Sequence, residues 1–123
     1  MVNTKAIIMA RVGTPPQGTK RTMLPEQIKE LTEYARKKNL AVVKQYSLIG
    51  SALRWKIDNI LKKATKDGVK AIVCSTFDRI TRSAASSLQL SRWLAEDKRR
   101  AIHVFRMGTV LKANKMTDLL LVM

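Results

Sequence analysis

The sequence predicts an α/β fold of three layers, αβα, built on a mostly parallel sheet of four or five strands, and three observations lead there. Apolar, β-branched segments alternate with segments of helical periodicity in the order βαβαβαβ, the pattern of parallel strands joined by crossover helices. The strand-like runs AIIMA and AIVC are continuously apolar, as strands covered on both faces should be. The length, 123 residues, suits one hydrophobic core and is too short for two ordinary ones.

Residues 6–10 form the first expected strand, and residues 11–23, with Pro15, Pro16 and Gly18, read as a loop. Pro25 suits the first turn of a helix, with Glu26 beside it at the positive end of the dipole. Leu24, Ile28, Leu31 and Ala35 then recur at helical spacing, and Arg36, Lys37 and Lys38 crowd the C-terminal end. Residues 40–46 (LAVVKQY) make a second strand, and 47–53 a short loop holding Gly50. A second helix is expected over 54–67, with Ile57, Ile60, Leu61 and Ala64 inward and Gly68 as its stop. Residues 69–74 give a third strand, 84–96 a helix carrying Leu88, Trp93 and Leu94, and AIHVF a fourth strand. The end of the chain, DLLLVM, opens another apolar, helix-like run.

Lys and Arg number 24 against 9 Asp and Glu, a formal net charge of +15, which points to a polyanionic partner, nucleic acid first. A membrane has less support, because the basic residues are spread over several segments and no apolar run approaches the ~20 residues that span a bilayer. The single Cys74 lies in an apolar run as a buried, inert thiol and allows no disulfide within the chain, which suits a reducing cytoplasm. The single His103 has no second ligand at metal-binding spacing and reads as a strand residue. Neither a metal nor a cofactor is expected. The N-terminal apolar run lacks a small-residue cleavage pattern and is not read as a signal peptide.

In open α/β sheets, sites gather at the C-terminal ends of the strands. Arg11, the loop ending at Arg54, and Asp78, Arg79 and Arg82 of DRITR all follow strands, so three segments distant in sequence can meet at one edge. Arg79 and Arg82 are three apart and share a face if that segment turns helically, where both can donate to one phosphate. Several guanidiniums and one carboxylate suit phosphoryl transfer without metal, the arginines spreading charge over the non-bridging oxygens and the aspartate orienting an arginine or handling a proton. The same residues also fit solvated surface charges with Asp78 capping the next helix, and spacing alone does not separate the two. A nucleotide or small-phosphate binder is a third reading, but ARVGTPPQG lacks the glycine spacing of a dinucleotide or P-loop turn.

The string ARVGT with a following Gln, a helix with Gln near its start and YA near its end, a loop ending in Arg54, and FDRITRS together resemble the catalytic domain of serine recombinases, the resolvase and invertase family. The likeness runs in order over essentially the whole chain, and DRITRS is its most specific part. It implies a resolvase-like domain of flavodoxin-like topology over residues 1–123, acting on double-stranded DNA in the cytoplasm. By position, Arg11, Arg54, Arg79 and Arg82 match the family's phosphate-binding arginines, Asp78 its active-site aspartate, and Thr14 and Gln17 the loop beside the nucleophile. In the family a serine attacks a DNA phosphodiester, giving a phosphoserine link to the 5' end at each of four strands in a synaptic tetramer. The freed 3' hydroxyls later reverse the attack.

Three departures stand out. The nucleophile's position is Gly13, which has no side-chain oxygen, so the resemblance implies a chain that does not cleave DNA as written. Ser47, Ser51, Ser75 and Thr81 are other hydroxyls in plausible reach, none with a base beside it. Glycine at 13 also fits a tolerant turn after a strand. The loop YSLIGSALR is more positive than the family's, which often has an acidic residue after the tyrosine-like position. DLLLVM resembles the start of the family's dimerisation helix, so a dimer or tetramer is expected of a full-length protein, weak association of this chain, and no DNA-binding domain within it.

Overall fold

The computed structural model describes residues 3–13, 23–51, 53, 55–81 and 83–113. Strands β1 (Thr4–Val12), β2 (Leu40–Ile49), β3 (Ala71–Cys74), β4 (Ala101–Val104) and β5 (Thr109–Leu111) alternate with helices α1 (Met23–Lys37), α2 (Ile57–Lys66) and α3 (Ala84–Glu96). They form one sheet in the order β2-β1-β3-β4-β5. All neighbours are parallel except β4 and β5, which are antiparallel. The expected mostly parallel sheet flanked by helices is therefore present, with β5 as an added edge strand.

Period-two alternation explains how one short strand serves two cores. On one face of the sheet, Ile7 and Met9 of β1 join Ile72, Ile102 and the inward residues of α2 and α3, among them Ile60, Leu61, Leu90, Trp93 and Leu94. On the other, Ala6, Ile8 and Ala10 meet Leu31 of α1, with Leu24, Ile28 and Tyr34 packed at the margin. The α1 side of β1 carries alanines at both ends, which lets the helix sit close. Each fully buried large side chain adds roughly 1.5–3 kcal/mol of burial free energy.

Several boundaries move from those read in the sequence. Arg11 and Val12 belong to β1 rather than to the following loop, and residues 47–49 extend β2, because parallel pairing with β1 continues to Val12↔Ile49. α2 begins at Ile57, three residues later than its apolar spacing suggested. The cap of α3 is Ser83, whose hydroxyl accepts from the Ser86 N–H at 3.1 Å, so Asp78 does not cap that helix. The C-terminal run DLLLVM lies outside the described residues.

Because β1 lies inside the sheet, with β2 on one side and β3 on the other, the chain reverses direction across the sheet at the β1–β3 boundary. A crevice outside the C-terminal ends of these strands is the position such a reversal creates.

Candidate phosphoryl-transfer site

At that boundary the next-to-last residue of β1 is Arg11, whose side chain is almost wholly buried, with 2% of the residue exposed. Its three guanidinium nitrogens donate to three carbonyls from two other segments. Nη1 reaches Gly50 at 2.8 Å, Nη2 reaches Asp78 at 3.1 Å, and Nε reaches Arg79 at 3.2 Å. Nη2 also lies 4.0 Å from the Asp78 carboxylate. Charge-assisted bonds of this kind hold each loop more firmly than neutral ones would. Gly50 can present its carbonyl because it sits at φ 130°, a conformation L side chains rarely adopt. Its N–H donates back to Val12 at 2.8 Å.

Two further side chains complete the junction, and neither was singled out as a site residue from the sequence. Strand β3 pairs with β1 only as far as Ile8↔Val73. Beyond that point the Gln27 amide of α1 substitutes for a strand: its Oε1 accepts from the Arg11 N–H at 3.0 Å and its Nε2 donates to the Arg11 carbonyl at 3.1 Å. Trp55 donates its indole N–H to the Arg79 carbonyl at 2.7 Å, so that carbonyl takes two donors, from Trp55 and from Arg11. Gln27 carried a visible signal, its place near the start of a helix that follows ARVGT. Trp55 had none beyond its adjacency to Arg54.

The segment after β3 is a single 3-10 turn, Phe77–Arg79, rather than an extended helix. It leaves the Asp78 side chain half exposed, and the Thr76 hydroxyl bonds to its carboxylate. The Arg79 Nε is buried with no partner among the described residues. A buried guanidinium N–H is costly to leave unmade, so the site holds a donor suited to an anionic acceptor.

Gly13 follows β1 and is exposed. Its φ lies outside the left-handed region, and a Cβ added there meets nothing within 4 Å among the described residues. The backbone at this position therefore makes no demand for glycine. Among the other hydroxyls, Thr81 and Ser75 are buried, Thr81 bonding to Ser83, while Ser51 accepts from the Leu53 N–H. Thr14, Gln17, Arg54 and Arg82 lie outside the described residues. Cys74 is fully buried, and desolvation together with the nearby Asp78 pushes its thiol up to about 12, leaving it no nucleophilic role. No group of His, Cys, Asp and Glu that could hold a metal ion occurs among the described residues. No helix among them is long and apolar enough to cross a membrane.

A five-stranded, mostly parallel sheet flanked by helices, with an arginine-centred junction at its reversal point, defines an α/β domain of the αβα class. Residues 6–123 match the model of the Resolvase, N terminal domain family, and the chain belongs to that family. Among solved structures, the N-terminal catalytic domain of TP901-1 integrase is similar with a TM-score of 0.73 and 20% identity, covering 97% of this chain and 90% of that one. A resolvase family site-specific recombinase from Streptococcus pneumoniae gives a TM-score of 0.73 and 20% identity, over 98% and 85% of the two chains. The C-terminal catalytic domain of ISC1926 TnpA, an IS607-like serine recombinase, gives 0.66 and 22%, over 96% and 78%. At these identities the likeness establishes the αβα fold. No curated protein sequence matches the chain.

Proposed function

We propose that this chain is the catalytic domain of a site-specific DNA recombinase that engages DNA phosphate and, with Gly13 at the nucleophile's position, does not cut it. The observation that carries this reading is the junction itself: Arg11 ties the end of β1 to Gly50, Asp78 and Arg79, directly beside Gly13. Arg11 contributes charge from within the fold while holding the loops, and Arg79 supplies the donor left open to a phosphate oxygen. Asp78 stands next to Arg11, and by resemblance to the family Arg54 and Arg82 belong to the same arginine set and Thr14 and Gln17 to the loop of the nucleophile. With a hydroxyl at 13, its oxygen would attack phosphorus and the bond to the 3' oxygen would break. The 3' oxygen would leave with a proton, and the 5' phosphate would stay on the protein. With glycine, binding and charge stabilisation remain without the attacking atom. Such a chain can act as a partner or regulator of an active recombinase, and dimers or tetramers belong to a longer protein.

A chimera tests this reading: the chain joined to the long helix and DNA-binding domain of an active relative and offered that relative's DNA site. Gly13→Ser should yield an SDS-stable protein–DNA adduct through the 5' phosphate, and the Gly13 parent should bind equally and yield none. Tight binding by both without an adduct would leave a DNA-binding module and sink the catalytic reading.

A further inference from the structure

At the opposite edge of the sheet, where the parallel strands begin, a cavity of about 370 Å³ is lined by Asn3, Thr4, Lys5, Gly68, Lys70 and Arg99. Three of its six lining residues are cationic and none is acidic. Behind them Asp97 takes the Lys70 ammonium at 2.8 Å and the Arg99 guanidinium through Nε at 3.1 Å and Nη2 at 3.0 Å. These bonds hold Asp97 far below the usual carboxylate range, so it stays ionised and keeps Lys70 and Arg99 side by side. Lys5 is fixed on the other wall by donating to the Asp67 carbonyl at 3.3 Å.

Basic residues at helix C-termini need no ligand, because they complement the macrodipole, and that accounts for Lys63 and Lys66 in the last turn of α2. It does not account for Lys5, Lys70 or Arg99, which stand at a strand start and in two loops. Crowding three cations against one carboxylate is unfavourable unless an anion comes between them.

We propose that this cavity is a second phosphate site and that its ligand is the backbone of a DNA duplex. A single free phosphate would occupy only part of the cavity. The positive field also continues past it through Lys66 in the last turn of α2 and through Lys98 and Lys112, where Lys112 Nζ donates to the Lys98 carbonyl at 3.0 Å, while Lys63 is paired with the Asp67 carboxylate at 3.9 Å. A recess wider than one phosphate, flanked by further cations, matches a linear polyanion. β1 runs for nine residues between the two edges, which at about 3.3 Å per residue sets them roughly 30 Å apart. The cavity is therefore a site separate from the one at Arg11 and Arg79, and one domain can hold DNA phosphate at both edges of its sheet.

The proposal rests on the recombinase reading only for the choice of DNA as the source of phosphate. It is tested on the whole chain by amide correlation spectra during titration with a short DNA duplex and, separately, with inorganic phosphate. Saturable shifts at Lys5, Gly68, Lys70 and Ala101, distinct from those at Gly50, Asp78 and Ile80, are expected with the duplex. Lys5→Gln combined with Arg99→Gln spares the Lys70–Asp97 pair, should abolish the first set alone, and should lower the log–log salt slope of binding by about two. Shifts confined to the Gly50 set would overturn the second site and leave the proposed function standing. Shifts confined to the cavity set would do the reverse. Saturation by inorganic phosphate but not by duplex would make the cavity a small-anion site and overturn the assignment to DNA.

Discussion

Arg79 gathers more of the site's geometry than its charge alone would suggest, because its carbonyl is the point where Arg11 and Trp55 converge. Removing a donor to a buried carbonyl costs about 1 kcal/mol when a second donor remains. Trp55→Phe keeps an aromatic ring but loses the N–H together with the packing of the five-membered ring against the core. It should lower unfolding free energy in urea by at least about that much and shift the Asp78, Arg79 and Ile80 amides. A loss no larger than that of an exposed control substitution, with those amides unmoved, would show that the indole does not hold the turn. Gln27 works by the same logic with two bonds, replacing the strand that β3 stops short of supplying.

At the scale of elements, α3 depends on its first turn. The helix carries no acidic residue there to meet the positive end of its dipole, so the Ser83 cap stands alone in that role among the described residues. Ser83→Ala should destabilise the protein by about 1 kcal/mol in chemical denaturation, and Ser83→Asp should recover most of the loss. Equal stability of all three would mean that packing of Leu90, Trp93 and Leu94 alone fixes the helix. α1 is anchored differently. Beyond its apolar face it reaches β4 through Tyr34, whose hydroxyl shares a 2.8 Å hydrogen bond with His103 Nδ1 and whose ring meets His103 and Phe105 edge to face.

That contact has a consequence for the whole molecule. Burial, with Lys38 and Lys112 nearby, holds His103 below its ordinary value. The folded state thus binds a proton less readily than the unfolded chain, whose histidine titrates near 6.5. Stability is fully present above about pH 6.5 and falls as pH drops from there towards the folded value, because the unfolded state takes up more protons. Asp97 titrates far lower and Glu33, held down chiefly by Arg36, below its usual value, so neither contributes in that window. Urea midpoints should decline from pH 7.5 to 5.5, and His103→Gln should flatten the decline. An unchanged slope in the variant would assign the dependence to another group.

Sequence alone determined the order of elements as far as β4, the mostly parallel sheet, both faces of β1 and the identity of the arginine-rich segments, whereas the antiparallel edge strand β5 was not located in it. These properties rest on local periodicity, on runs of apolar residues and on residue types that survive any arrangement in space. Gly13 was legible in the same way, as an absence at a position the motif marks. The helix starts, the length of β2 and the cap of α3 were less so, because pairing with β1 and a single hydroxyl decide them. What only the tertiary structure decided is which groups meet. It set Arg11 on the carbonyls of Gly50, Asp78 and Arg79, brought Gln27 and Trp55 to that junction, and gathered Lys5, Lys70 and Arg99 around one cavity at the far edge. Those contacts join residues tens of positions apart, and their geometry follows from strand order and from where β3 stops, neither of which any local stretch of the chain encodes.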